Sequence, residues 1–135
     1  MPYTYFDHDA DIGIVGRGAT VEAAFIAAAE AMFAIMADLP KIHCKTSVEF
    51  EFEEADVEFA LVTWLNRLLS EARGEGLIFG RFELTRRDEQ WQGTAWGEPW
   101  RDDLERGVEV KGATLTMLSV RQDEGVWEAR CVVDV

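Results

Sequence analysis

The sequence predicts an α+β domain: a largely antiparallel β-sheet with two long amphipathic helices packed on it. Three observations predict it. Two apolar stripes recur at helical spacing, each behind a capping residue, over the regions led by Thr20 and Asp56. Segments of strand-like alternation flank them, paired across tight polar turns. Strands and helices do not alternate in the regular manner of parallel βαβ units, which favours antiparallel pairing.

In chain order, Tyr3 to Phe6 reads as a short strand, and Ile12 and Ile14 with their glycines as a second. Gly16-Arg17-Gly18 turns the chain. Thr20 can accept a free N–H of a first helical turn. Val21, Phe25, Ala28, Met32 and Ile35 then follow at spacings of four and three, among alanines that favour helix. Pro40 lies beyond the end of that helix. Ser47 to Glu53 alternates strictly, with Val48, Phe50 and Phe52 on the inward face. Asp56 caps a second helix whose stripe is Val57, Leu61, Trp64, Leu65 and Leu68, and Gly74 and Gly76 end it. Leu77 to Arg86 and Gln90 to Gly97 form a hairpin around Arg87-Asp88-Glu89. Val108 to Val110 reads as a short strand. Thr114 to Gln122 and Val126 to Val135 read as a second hairpin, turning at Asp123-Glu124-Gly125.

At 135 residues the chain is the size of one domain, 1–135, and can bury a core without disulfide or metal staples. No repeat, low-complexity run or Pro/Gly/Ser-rich linker divides it. The charge balance is 13 basic against 26 acidic side chains, net −13. The longest basic run, Arg86-Arg87, is followed at once by Asp88 and Glu89. Direct nucleic-acid binding, which needs clustered cations to replace phosphate counterions, is therefore not expected. A basic protein surface or a cation is the natural partner, and acidity that serves solubility alone is the alternative. Cys44 and Cys131 form no metal-ligand spacing, and Cys131 sits in an apolar run as a small core residue. With no signal peptide and no run of membrane-spanning length, the expectation is a reduced, cytoplasmic protein.

Nucleophile elbows, phosphate loops and zinc-protease motifs are missing, and the two histidines, His8 and His43, are far apart in sequence. What remains is a set of carboxylates. Asp7, Asp9 and Asp11 stand at alternate positions, on one face if the chain is extended there. A cation would neutralise them; a solvated edge, where repulsion is screened, is the bland reading. At the other end, Glu128, Arg130, Val132 and Asp134 share one face of the last strand, and Trp127, Ala129, Cys131, Val133 and Val135 the other. A strand that continues to its last residue fixes the Val135 α-carboxylate as an oxygen donor beside Asp134. Ca²⁺, Mg²⁺ and Mn²⁺ favour such donors; an ordered end with one exposed acid is the plain alternative. Lys111, followed by Gly112, is either a salt-bridge or phosphate partner for those carboxylates or a solvated lysine.

These pieces occur in order in the archease family. Asp7-His8-Asp9-Ala10-Asp11-Ile12 resembles its N-terminal signature. Gly97-Glu98, Glu109-Val110-Lys111-Gly112-Ala113-Thr114 and the final Val133-Asp134-Val135 resemble its later ones. Ala31-Met32-Phe33 and Val62-Thr63-Trp64-Leu65-Asn66 also fit, so the resemblance covers essentially the whole chain. It implies a non-catalytic accessory protein of an RtcB-type RNA ligase, an enzyme that joins RNA ends in tRNA splicing and repair. Such ligases use GTP and Mn²⁺ and pass through a guanylylated histidine, and the accessory protein promotes that activation and multiple turnover. By resemblance, Asp11, Asp134 and the Val135 carboxylate would hold a divalent cation (Ca²⁺, or Mn²⁺ or Mg²⁺ in function). Lys111 would act in activating the partner. Two positions depart from the family pattern: Asp9 replaces a common threonine, adding charge beside Asp11, and Leu104 stands where several archeases carry histidine. A metal-dependent phosphoesterase or nuclease built on the same acids, and a chaperone-like interaction domain without a metal, are the rival readings.

Overall fold

The structure, a computed structural model, describes residues 2–135. Its strands are β1 (Tyr3–His8), β2 (Asp11–Gly18), β3 (Thr46–Glu53), β4 (Leu77–Arg87), β5 (Gln90–Pro99), β6 (Gly112–Ala113), β7 (Ser119–Asp123) and β8 (Val126–Asp134). Its helices are α1 (Val21–Met36) and α2 (Val57–Glu75), with a short 3-10 turn at Leu39–Lys41. The α+β architecture is as predicted, and every strand pair is antiparallel. The strands divide, however, into two sheets. One has the order β1-β2-β8-β6, with β7 also pairing β8; the other is β3-β5-β4.

Both helix starts are capped as the sequence indicates. Thr20 Oγ1 accepts from Ala23 N at 3.0 Å, and Asp56 Oδ1 accepts from Glu58 N and Phe59 N at 2.8 and 3.1 Å. Gly76, in the left-handed region at φ 66°, ends α2, while Gly74 lies within its last turn. The turn joining β7 to β8 has positive φ at both Glu124 (51°) and Gly125 (81°), the backbone of a type I′ hairpin turn.

Helix α1 is buried on more than its predicted stripe: Ala24, Ala27, Ala29, Ala31 and Phe33 are also buried. The reason is that α1 meets both sheets. On one side a Cβ at Gly16 would fall 2.3 Å from the Ala24 carbonyl oxygen, so β2 and α1 approach to backbone distance. On the other side Phe25 stacks on Trp91 at 5.3 Å, and Phe33 packs on Phe79 and Phe82 of β4. Trp64 of α2 is fully buried and donates its indole N–H to the Phe25 carbonyl at 2.9 Å, tying the helices together.

The predicted strand at Val108–Val110 does not form. Gly107 N donates to Met36 O at 2.8 Å and Val108 N to Ile35 O at 3.0 Å, so this segment satisfies the free carbonyls at the end of α1 instead of a ladder. The predicted strand from Thr114 is likewise shortened to Ser119–Asp123, because Thr114 to Leu118 form a loop folded back onto β8.

Candidate metal and partner site

The start of β2 and the end of β8 meet at one end of the larger sheet. In the β2–β8 ladder Ile12 lies opposite Val133, so one further pair along sets Asp11 against Asp134. Val135 N donates to Asp11 Oδ1, a long bond of 3.4 Å across 124 positions of sequence. A third segment joins them. Gly112 of β6 is paired with Asp134, and Lys111 N donates to Asp134 O at 2.7 Å. The backbones carrying Asp11, Asp134, Val135 and Lys111 therefore converge. Asp11 and Val135 are half-buried; Asp134 and Lys111 are exposed.

Directly opposed residues of an antiparallel ladder share a face, and like charges so placed repel. Among the described residues neither Asp11 nor Asp134 takes part in an ion pair. Nor do three His, Cys, Asp or Glu side chains converge as a ready metal set among them. The register brings two such side chains, Asp11 and Asp134, to this place, with Val135 beside them. Carboxylate oxygens are hard donors, of the kind that suits Ca²⁺, Mg²⁺ or Mn²⁺ and not a softer zinc or copper set.

Asp7 and Asp9 do not join Asp11 on one face. The chain reverses at Asp9-Ala10, where Asp9 has φ 53°, so Asp7 falls opposite Ile12 and Asp11 opposite His8. The Asp9 side chain is 95% exposed, 3.9 Å from His8 Nδ1. The tight turn, invisible to a period-two count, is the physical reason.

Sequence reasoning gave no role to the side chains of α2 that hold the lysine segment in place. Asn66 Oδ1 accepts from Ala113 N at 2.9 Å and its amide donates to Ala113 O at 3.1 Å, as a neighbouring strand would. Arg73 donates to the carbonyls of Val110 and Lys111 at 2.6 and 2.9 Å. The seven-residue interval, two helical turns, was the available signal. Glu98 is a separate constellation. Only 6% exposed, it accepts from His43 N at 2.6 Å and from Arg101 Nε at 2.9 Å. These bonds, the His43 amide first, hold its carboxyl below the usual range. Arg101 also donates to Lys41 O, so the cluster fastens the loop after α1 to the end of β5.

The model of the archease protein family matches residues 3–135. The chain belongs to the archease family. It is 36% identical to the archease of Sulfolobus acidocaldarius and 35% identical to that of Pyrococcus furiosus, in each case over 98% of both chains. The solution structure of a Methanobacterium thermoautotrophicum protein superposes with a TM-score of 0.88 at 30% identity over 99% of both chains. A crystal structure of a Thermotoga maritima archease, described as a possible chaperone, shares the fold with a TM-score of 0.68 at 21% identity. It covers 96% of this chain and 94% of its own.

Within this archease fold the two departures find physical accounts. Leu104 is 4% exposed and belongs to the core, so an apolar side chain suits its place. Asp9 occupies a left-handed turn position, which aspartate tolerates better than a β-branched residue. Cys131 is buried, as expected, and burial pushes its thiol up to about 12. No helix among the described residues is long and apolar enough to cross a membrane.

Proposed function

We propose that this protein activates an RtcB-type RNA ligase without itself joining RNA, promoting guanylylation of the ligase and its multiple turnover. In this reading Asp11, Asp134 and the Val135 α-carboxylate seat a divalent cation, and Lys111 stands beside it as the residue offered to the partner. Membership of the archease family supports the class of partner. The observation that carries the site is the convergence of Asp11, Asp134 and Val135 with the Lys111 segment at one sheet end.

A cation held there would supply positive charge for phosphate oxygens. The protein's own groups do the rest. The two aspartates would provide oxygens from the ends of adjacent strands, one position beyond the last ladder pair, and the Val135 carboxylate from the residue that follows β8. Lys111 contributes a flexible ammonium, suited to a phosphate as a point charge. Its backbone is fixed at both the amide and the carbonyl, which leaves the side chain as the mobile part.

The test pairs a metal readout with an activity readout. Ca²⁺ and Mn²⁺ should raise the unfolding temperature of the isolated wild-type protein, since an ion that binds only the folded state stabilises it. Asp11→Ala and Asp134→Ala should lose that rise. Both variants, together with a chain extended beyond Val135, should stimulate ligase guanylylation on the order of tenfold less, at least the loss seen when a group supporting a metal ligand is removed. Full stimulation by both aspartate variants would sink the metal-site mechanism. Turnover of RNA or nucleotide by the purified protein with Mn²⁺ and no ligase would favour a metal-dependent phosphoesterase or nuclease instead. Unchanged ion response and activity in both variants would favour a chaperone-like domain.

A further inference from the structure

The loop between β6 and β7 presents two large apolar side chains to water. Leu115 is 59% and Met117 48% exposed, two of the few large hydrophobic residues so placed among those described. The loop is not slack. Thr114 N and Thr114 Oγ1 donate to Val132 O at 3.0 and 2.8 Å, and Val132 N donates to Thr116 O at 3.1 Å. Thr116 N reaches Thr114 Oγ1 at 3.2 Å, and Leu118 N reaches Leu115 O at 3.3 Å. Met117 is held at φ 56°, a conformation that disfavours every residue with a Cβ and suits glycine. Leu118, by contrast, turns inward against the core. A chain selected only for its own stability gains nothing from a methionine in a left-handed position with half its surface in water.

The place of the loop identifies what it meets. It begins directly after Ala113 of β6, and it is fastened to Val132, two residues before Asp134 on β8. The backbone that carries these apolar side chains is therefore fastened two residues from Asp134 on β8 and begins three residues after Lys111. Interfaces commonly set preorganised apolar anchors next to charged groups that fix register. We infer that Leu115 and Met117 form a docking knob that enters an apolar socket on the RNA ligase, next to the positively charged region that receives Asp11, Asp134 and the terminal carboxylate. The inference rests on the proposed function and adds the contact that sets affinity.

The experiment titrates the purified ligase, with GTP and Mn²⁺, with wild-type protein and with Leu115→Ser, Met117→Gly and the double variant. Guanylylation is followed, and direct binding is measured by calorimetry. Each single change should raise the half-saturating concentration roughly tenfold and the double change more, as loss of an apolar hot-spot side chain does. The stimulation at saturation should be retained. Met117→Gly should unfold at the wild-type temperature or above, because glycine relieves the left-handed backbone; this keeps the test readable if Leu115→Ser is destabilised. Wild-type stimulation with half-saturation unchanged in all three variants overturns the knob and leaves the proposed function standing. A wild-type protein that neither binds nor stimulates the ligase overturns both. Loss of stimulation at saturation with half-saturation unchanged also overturns the knob, because it marks an effect on the activating groups and not on docking.

Discussion

Arg73 shows how much of the site depends on one side chain outside it. Its guanidinium closes on the carbonyls of Val110 and Lys111, and its stem lines a cleft of about 420 Å³ with Leu69, Trp100 and Val110. Two charge-assisted bonds to consecutive carbonyls set the direction in which the chain leaves Lys111 toward Gly112 and Asp134. Arg73→Met keeps most of the apolar stem and removes both bonds. Stability should fall by about 2 kcal/mol, the typical worth of a hydrogen bond to a charged group in a partly exposed setting. Ligase stimulation should fall as far as it does in Lys111→Ala, while the thermal response to Ca²⁺ that the proposed function assigns to the aspartates should persist. Unfolding curves with and without Ca²⁺, set beside guanylylation assays, separate the two. Undiminished stimulation by Arg73→Met would show that Lys111 needs no such support. Asn66 allows a milder version of the same test, since its paired bonds to Ala113 hold β6 from the other side.

The elements divide into those whose local chemistry is decisive and those fixed by distant partners. Both helices were legible because each carries its own start signal and its own stripe, and the β7–β8 turn because Asp123-Glu124-Gly125 is a polar break with a glycine at one of its two positive-φ positions. Val108–Val110 was not, because the amides of Gly107 and Val108 are taken by the end of α1, more than seventy positions earlier. The division into two sheets was hidden for a related reason: alternation shows that a strand has an inner face, not which layer that face meets. In the candidate site, the sequence placed Asp134 on the last strand and Asp11 among three alternating acids, while β8 ends at Asp134 and leaves Val135 just beyond it. That Asp7 and Asp9 are set apart depends on the turn at Asp9-Ala10, and that Asn66 and Arg73 hold the lysine segment depends on how α2 packs. The β2–α1 contact gives a prediction at this scale. A Cβ at Gly16 would lie 2.3 Å from Ala24 O and 2.4 Å from Ala28 N, both backbone atoms that no rotamer change can move. Gly16→Ala should therefore cost roughly 3 kcal/mol, the upper part of the range for overpacking. It should also weaken the ion response indirectly, because β2 carries Asp11. Gly74→Ala is the control: nothing lies near its added carbon, and alanine favours helix, so stability should hold or rise. Equal unfolding temperatures for Gly16→Ala and wild type would mean that helix and sheet have room to separate.

At the scale of the whole molecule, α1 packs against both sheets, and the larger sheet brings the start of β2 and the end of β8 together at one end of its strands. The net charge of −13 gives the molecule a negative field overall, and the two aspartates add negative charge at that place. A ligase surface that grips RNA is basic, so long-range attraction should speed the encounter, and the apolar side chains of Leu115 and Met117 should act only after contact. These two contributions differ in their response to salt. Screening shortens the reach of exposed charges from about 10 Å at 0.1 M to about 3 Å at 1 M, while apolar burial is little affected. Raising ionic strength across that range should increase the half-saturating concentration for ligase stimulation on the order of tenfold, chiefly through a slower association rate. The Leu115→Ser and Met117→Gly variants should show the same salt slope from a weaker starting point, with the loss in the dissociation rate. Stopped-flow association measured at several salt concentrations for wild type and both variants distinguishes the terms. An association rate indifferent to salt would mean that the acidity of the chain serves solubility alone and that recognition lies wholly in short-range contacts.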